Sequence, residues 1–172
     1  MSEELLEIFD KNNQPLNIRL TRKQAHDKNG NFWHHTTAIW ITNDENEILA
    51  HKIERADLTE LIGVWCSTFG GHIQAGENSR TNAMRELKEE LGIEVKLEDL
   101  QYLCQRKNSL HKHFGDVFVI RWNGKIRDLS FNDGEIKEVK WISPAELEKE
   151  TAAGRFCNTF INEIKKYLKF NH

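Results

Sequence analysis

The sequence predicts one α/β domain in which helices cover the faces of a mixed β-sheet. Three observations carry this. The chain has 172 residues, of which 38% are hydrophobic. That length suits a single domain with a core that needs no disulfide staples. Segments rich in β-branched and aromatic residues alternate with segments of helical period. Nothing divides the chain: it has no repeats and no Pro/Ser-rich linker, and Pro15 and Pro144 are its only prolines.

The elements follow in order. Residues 5–9 and 16–21 read as short strands around the turn-rich Asp10-Lys11-Asn12-Asn13. A short helical stretch from Thr21 to Asp27 ends before Asn29-Gly30. His34 to Thr42 reads as a strand, turned at Asn43-Asp44-Glu45-Asn46, with Glu47 to Ile53 returning. Trp65 to Phe69 is a further short strand. The Gly-rich stretch from Gly70 to Gly76 leads into a helix over Ser79–Leu91, which Asn78 and Ser79 can cap. Gly92 suits the left-handed position after its end, with Ile93 as the apolar contact that follows. Strands are expected near 101–105, 114–122 and 136–142. Ser143-Pro144-Ala145-Glu146 is a capping box with proline in the first helical position. A last helix from Phe156 to Phe170 places Phe160, Ile161, Ile164 and Leu168 on one face, with Cys157 as buried packing.

Lys and Arg total 24 against 27 Asp and Glu, a net charge of −3. This does not fit a strongly basic nucleic-acid binder, so no nucleic-acid partner is expected. No run approaches the ~18 apolar residues of a membrane span. The start, MSEELLEIFD, lacks the basic-then-apolar order of a signal peptide. Cys66, Cys104 and Cys157 are odd in number and scattered, which predicts free thiols in a reducing compartment and a cytoplasmic location.

The most informative segment runs from Gly71 to Ile93, GHIQAGENSRTNAMRELKEELGI. At about 100° per residue, Glu86, Glu89 and Glu90 share one helix face. Ala83, Met84, Leu87 and Leu91 form an apolar stripe roughly 120° away. One side can pack on a sheet while the neighbouring side gathers three acids. Adjacent carboxylates repel and raise each other's pKa. Arg85 lies four residues before Glu89 and can orient it, but one arginine does not neutralise three acids. A hard divalent cation would, which points to Mg²⁺ or Mn²⁺. The preceding glycines allow backbone to approach a ligand closely. These parts suit attack of water on a metal-bound diphosphate, with a carboxylate taking the water's proton.

The segment resembles the Nudix hydrolase signature without a gap. The pattern is glycine, five residues, glutamate, seven residues, then Arg-Glu-aliphatic-any-Glu-Glu-any-Gly-aliphatic. Gly71, Glu77, Arg85, Glu86, Leu87, Glu89, Glu90, Gly92 and Ile93 fill it. The resemblance implies an α/β/α sandwich over residues 31–168, with residues 1–30 a β-hairpin extension packed on it. It implies Mg²⁺, replaceable by Mn²⁺, held by Glu86 and Glu90, by the Gly70 carbonyl, and by Glu89 as ligand or base. Glu86 or Glu89 is the general base, Arg85 orients the acids, and Gly71, Glu77 and Gly92 are structural. Glu135 and Glu138 are candidates for an extra glutamate from a later loop, with surface charge as their plainer reading. The implied activity is cleavage of a small organic diphosphate, such as a nucleoside diphosphate linked to another group.

His26, His34 and the run Trp65 to His72 resemble the isopentenyl-diphosphate isomerase branch, which binds metal through three histidines and two glutamates. His26, His34 and His72 match the histidines. Gly70 stands where those isomerases carry a cysteine, and Cys66 lies four residues earlier, about 13 Å along an extended strand. His111-Lys112-His113 stands where the glutamates would. These departures favour hydrolysis. Isomerisation and a catalytically silent nucleotide-binding module are the alternatives. His72, His34 and His113 are candidate contacts to substrate phosphate. Gly71 to Gly76 precedes Glu77 rather than Lys-Ser/Thr, so it is not a P-loop. Trp33, Trp40 and Phe114 read as core.

Overall fold

The computed structural model describes residues 4–27, 29–54, 63–131, 136–157 and 161–170. Among the described residues eight strands and four α-helices follow one another as β1 (Leu5–Phe9), β2 (Pro15–Thr21), α1 (Arg22–Ala25), β3 (His34–Thr42), β4 (Ile48–Ile53), β5 (Trp65–Cys66), α2 (Ser79–Leu91), β6 (Gln101–Asn108), β7 (His113–Arg121), β8 (Ile136–Ile142), α3 (Pro144–Ala152) and α4 (Ile161–Phe170). β3 to β8 form a mixed sheet in the order β5-β4-β3-β7-β6, with β8 paired to β4. The β3–β7 pair is parallel and in continuous register from His34↔His113 to Thr42↔Arg121.

Alternation along β3 builds two cores. Ile39 and Ile41 face α2, packing with Ala83, Leu87, Leu91, Phe118 and Ile120. Trp40 points the other way, toward Leu147 of α3 and Ile164 and Leu168 of α4. A sheet buried on both faces by helices is the α/β/α sandwich expected. Trp33, Trp40 and Phe114 are buried. The β1–β2 hairpin has a small core of its own, Leu6, Ile8 and Ala25. It reaches the main body through the bridges Leu6↔Gln74 and Phe9↔Trp33.

Local chemistry sets the helix ends. Asn78, not Ser79, caps α2, its side chain accepting from the Arg80 and Thr81 amides. Gly92 has φ 70°, and the Gly92 and Ile93 amides donate to the Lys88 and Leu87 carbonyls. Ser143 caps α3 by accepting from the Glu146 amide. The reciprocal half of the expected capping box is replaced by an approach of the Glu146 carboxylate to Lys140, 3.8 Å.

Three expectations need correction. The strand expected over Trp65–Phe69 is two residues long, because the chain leaves β4 after Cys66 and Phe69 pairs with Ile39 instead. α4 begins at Ile161, so Cys157 precedes it. Phe160 lies outside the described residues. Cys66 and Cys157 are joined in a disulfide across a separation of 91 residues, leaving Cys104 as the free thiol. The reason is topological: Trp65 and Phe156 run side by side, and the Cys157 amide donates to the Trp65 carbonyl at 2.8 Å. The thiol argument for a reducing compartment therefore lapses. No helix among the described residues is long and apolar enough to cross a membrane.

Two tests follow from the core. In denaturant without reductant, Cys104 alone should react with a thiol reagent. Reduction should release Cys66 and Cys157 and cost about 2–4 kcal/mol of stability, read as a lower Tm. His51 on β4 is buried against Phe69, ring centroids 4.6 Å apart, and its Nδ1 has no hydrogen-bond partner. Burial pushes its pKa down from 6.5 to about 4. Between those values the unfolded chain holds the extra proton. Stability is thus whole above pH 6.5 and falls as pH drops toward 4, by about 3 kcal/mol from this group. His51→Leu should flatten the dependence of unfolding free energy on pH in that window, and an unchanged slope would refute the assignment.

Candidate active site

The site forms where the loop before α2 crosses β3. From Phe69 to Ile73 the loop runs antiparallel to β3: Ile39 N–H donates to the Phe69 carbonyl (2.7 Å), Thr37 N–H to Gly71 (2.9 Å) and Ile73 N–H to His35 (3.0 Å). Two glycines permit so close a passage. Gly70 has φ 122°, and a Cβ there would lie 2.5 Å from the Thr37 carbonyl oxygen. A Cβ on Gly71 would lie 2.7 Å from Glu86 Oε1. The space that Glu86 occupies exists because residue 71 has no side chain.

α2 presents the three acids unequally. The Glu86 side chain is 13% exposed and that of Glu89 55%. Glu90 is buried, and its Oε2 accepts the Gly70 amide at 3.3 Å. Arg85 joins the group: Nε donates to Glu77 (3.0 Å), Nη2 to Glu86 (2.9 Å) and Nη1 to Glu89 (2.6 Å). Glu77 also accepts from the Gln74 amide and from Asn82, each at 3.2 Å. Burial raises the pKa of Glu77, but these bonds outweigh it and hold the carboxyl below its usual range. Glu86 goes the other way. Burial pushes it up to about 7, Arg85 opposes this and Glu89 adds to it. Desolvation, more than the mutual repulsion expected of adjacent acids, therefore sets the Glu86 shift.

Histidines gather beside the same loop. His26 follows α1, His34 opens β3, His72 follows Gly71, and His113 opens β7 beside His34. His26 Nε2 and His72 Nε2 are 2.9 Å apart. The ring centroids of His34 lie 4.9 Å from His26, 5.0 Å from His72 and 5.9 Å from His113. One ligand atom from each of His26, His34 and His72 falls within 4.8 Å of the others. His34 is 1% exposed, and neither ring nitrogen has a hydrogen-bond partner. Burial, helped by neighbouring histidines, pushes His34 down to about 3 and His113 to about 4, so both rings are neutral at pH 7.

The structure thus brings Glu77, Arg85, Glu86, Glu89, Glu90, Gly70 and Gly71 around one loop, with His34, His72 and His113 grouped alongside. Glu138 is exposed on β8, and Glu135 lies outside the described residues. Asn82 escapes a sequence reading. It is wholly buried, donating to the His72 carbonyl (2.7 Å) and to Glu77 and accepting from Thr37 Oγ1 (2.6 Å). Its one sequence signal is a polar residue beside Ala83 on the inward side of α2.

Fold and site together define an α/β/α sandwich whose carboxylate helix follows a glycine loop. A NUDIX domain model matches residues 33–158, and the chain belongs to the Nudix family. An uncharacterized Nudix hydrolase of Clostridium acetobutylicum is 27% identical over 157 residues, 87% of this chain and 74% of that protein. An isopentenyl-diphosphate Delta-isomerase of Aliivibrio fischeri is 31% identical over 119 residues, 63% of this chain and 64% of that protein. The crystal structure of DR0079 from Deinococcus radiodurans shares the fold, with a TM-score of 0.75 at 18% identity over 95% of this chain and 98% of that one. The chain is thus a Nudix hydrolase with relatives among the isomerases.

Gly71→Ala tests the packing at the loop. The added methyl should displace the Glu86 carboxylate and, if Glu86 holds the cation that the resemblance implies, weaken Mn²⁺ binding about tenfold. The Tm should change little, because the side chain can swing toward solvent. Wild-type affinity would show that Glu86 does not need the space.

Proposed function

We propose that the protein is a Mg²⁺-dependent hydrolase of a small organic diphosphate, such as a nucleoside diphosphate linked to another group, and that Mn²⁺ substitutes. In this reading residues 31–168 are the catalytic domain and 1–30 an extension packed on it. The observation that carries it is the three-acid face of α2 set against the Gly70–Gly71 turn. Glu86, Glu90 and the Gly70 carbonyl would hold the cation, with Glu89 as a further ligand or the base. This all-oxygen set suits a hard divalent ion. The acids exceed what Arg85 neutralises, which favours added positive charge. A cation there would offset charge on the diphosphate oxygens and make a bound water more acidic.

This chain's residues supply the rest. Glu89, the most exposed of the three acids, takes the proton of the attacking water. Glu86 takes that role only if its carboxylate stays off the cation. The water oxygen bonds to one phosphorus, the bridging P–O bond breaks, and two phosphate-ended products leave. Arg85 keeps Glu89 oriented through their 2.6 Å bond. His72, His34 and His113 line the phosphate side. Neutral imidazoles can donate N–H bonds to phosphate oxygens. The isomerase resemblance implies a second metal position at His26, His34 and His72, and the two unpartnered nitrogens of His34 support it.

One observation bears on isomerisation. At Gly70, the place of the isomerase cysteine, positive φ and the Thr37 carbonyl leave no room for a Cβ. That favours hydrolysis. A panel of diphosphates including isopentenyl diphosphate, incubated with Mg²⁺ and resolved by product, tests both. At least one member should be cleaved at its P–O–P linkage, and Glu90→Gln should lower that rate about a hundredfold. Undiminished Glu90→Gln activity overturns the site. Conversion of isopentenyl diphosphate to its allylic isomer overturns the reaction. Binding without turnover favours a silent module.

A further inference from the structure

α2 needs nothing from Asn82 to exist as a helix. It has its cap at Asn78 and its apolar stripe at Ala83, Leu87 and Leu91. Yet Asn82 is 0% exposed, one turn before Glu86. A buried primary amide costs about 1–3 kcal/mol for a polar atom left unbonded. Here the amide is bonded on both sides. Its carbonyl oxygen accepts from Thr37 on β3 at 2.6 Å. Its nitrogen donates to the His72 carbonyl at 2.7 Å and to Glu77 Oε2 at 3.2 Å. One side chain thus ties strand, loop and helix together.

Those three points frame the loop that carries the backbone part of the cation site. Thr37 N–H donates to the Gly71 carbonyl at 2.9 Å, and Thr37 O and Oγ1 crowd the position a Gly70 Cβ would take. The Gly70 amide donates to Glu90, and Glu86 fills the space beside Gly71. The height of the loop over Glu86 and Glu90 is therefore set at Thr37 on one side and His72 on the other. Asn82 bonds both. Arg85 also reaches the His72 carbonyl, at 3.5 Å, but its stronger bonds go to the carboxylates. Asn82 is the neutral clamp, able to hold the loop without altering the charge of the site.

We infer that Asn82, bonded to Thr37, is a positioning residue for the divalent cation. It holds the Gly70–His72 backbone in register with Glu86 and Glu90. The inference rests on the reading of Gly70, Glu86 and Glu90 as cation ligands. Removing the amide leaves every carboxylate in the chain and releases the loop, so metal affinity falls while the helix stays folded.

The test is Mn²⁺ binding to the full chain, followed by electron paramagnetic resonance of free Mn²⁺, with thermal melts alongside. Asn82→Ala should weaken binding about tenfold. Thr37→Val should weaken it in the same direction. The double variant should bind no worse than Asn82→Ala, since both changes break one shared bond. Thr42→Val is the control. It removes another buried hydroxyl bond of β3, to the Ile120 carbonyl at 3.2 Å, and should lower the Tm with Mn²⁺ binding unchanged. Wild-type binding by Asn82→Ala overturns the inference. So does equal weakening by Thr42→Val, which would mean that any loss of stability does the same. If Asn82→Ala does not fold, Thr37→Val alone decides the matter by the same measurement. Glu90→Gln separates the two levels: if it binds Mn²⁺ as the wild type does, the carboxylate site itself is wrong and this inference falls with it.

Discussion

The Arg85 guanidinium donates to Glu77, Glu86 and Glu89 together, and the geometry around it depends on that sharing. Glu77 sits at the start of the α2 region and fixes the loop through the Gln74 amide. Glu86 and Glu89 belong to the face that gathers negative charge. One guanidinium therefore spans the loop acid Glu77 and two of the three carboxylates on the α2 face. Because the group is half-buried, the attraction is screened less than on an open surface. Its cost is specificity of placement. A planar fork with donors in fixed directions accepts only one arrangement of the loop over the helix.

That arrangement explains why the two glycines matter more than their size suggests. The loop pairs with β3 as a further strand would, yet it must also leave room for Glu86 below it. A side chain at residue 71 would take that room, and one at residue 70 would meet the Thr37 carbonyl. His26, His34 and His72 converge on the flank of the loop, with His113 joining the group from β7.

Much of this was legible in local sequence. α2 spans Ser79–Leu91 as its capping residue, apolar stripe and following glycine imply. β3 spans His34–Thr42, the limits of its β-branched and aromatic run. The carboxylate spacing identified both the helix face and the family. Other features were opaque for a consistent reason. The strand at Trp65 stops because its continuation changes partner. Cys157 meets Cys66 because two distant segments run in parallel. Asn82 reads as one more polar helix residue until its three partners are placed around it.

The sequence by itself determined the periodic and short-range features: helix ends, strand alternation and three acids on one face. Those follow from 3.6-residue and two-residue repeats and from caps a few residues away. The tertiary structure alone decided which of those acids is buried, which histidines touch, which cysteines bond and where a neutral amide clamps the loop. The acids, the histidines and the amide depend on the parallel β3–β7 register and on the loop lying against β3, and the cysteines on Trp65 running beside Phe156. Such pairings bring together residues dozens of positions apart, and no local propensity encodes that closeness.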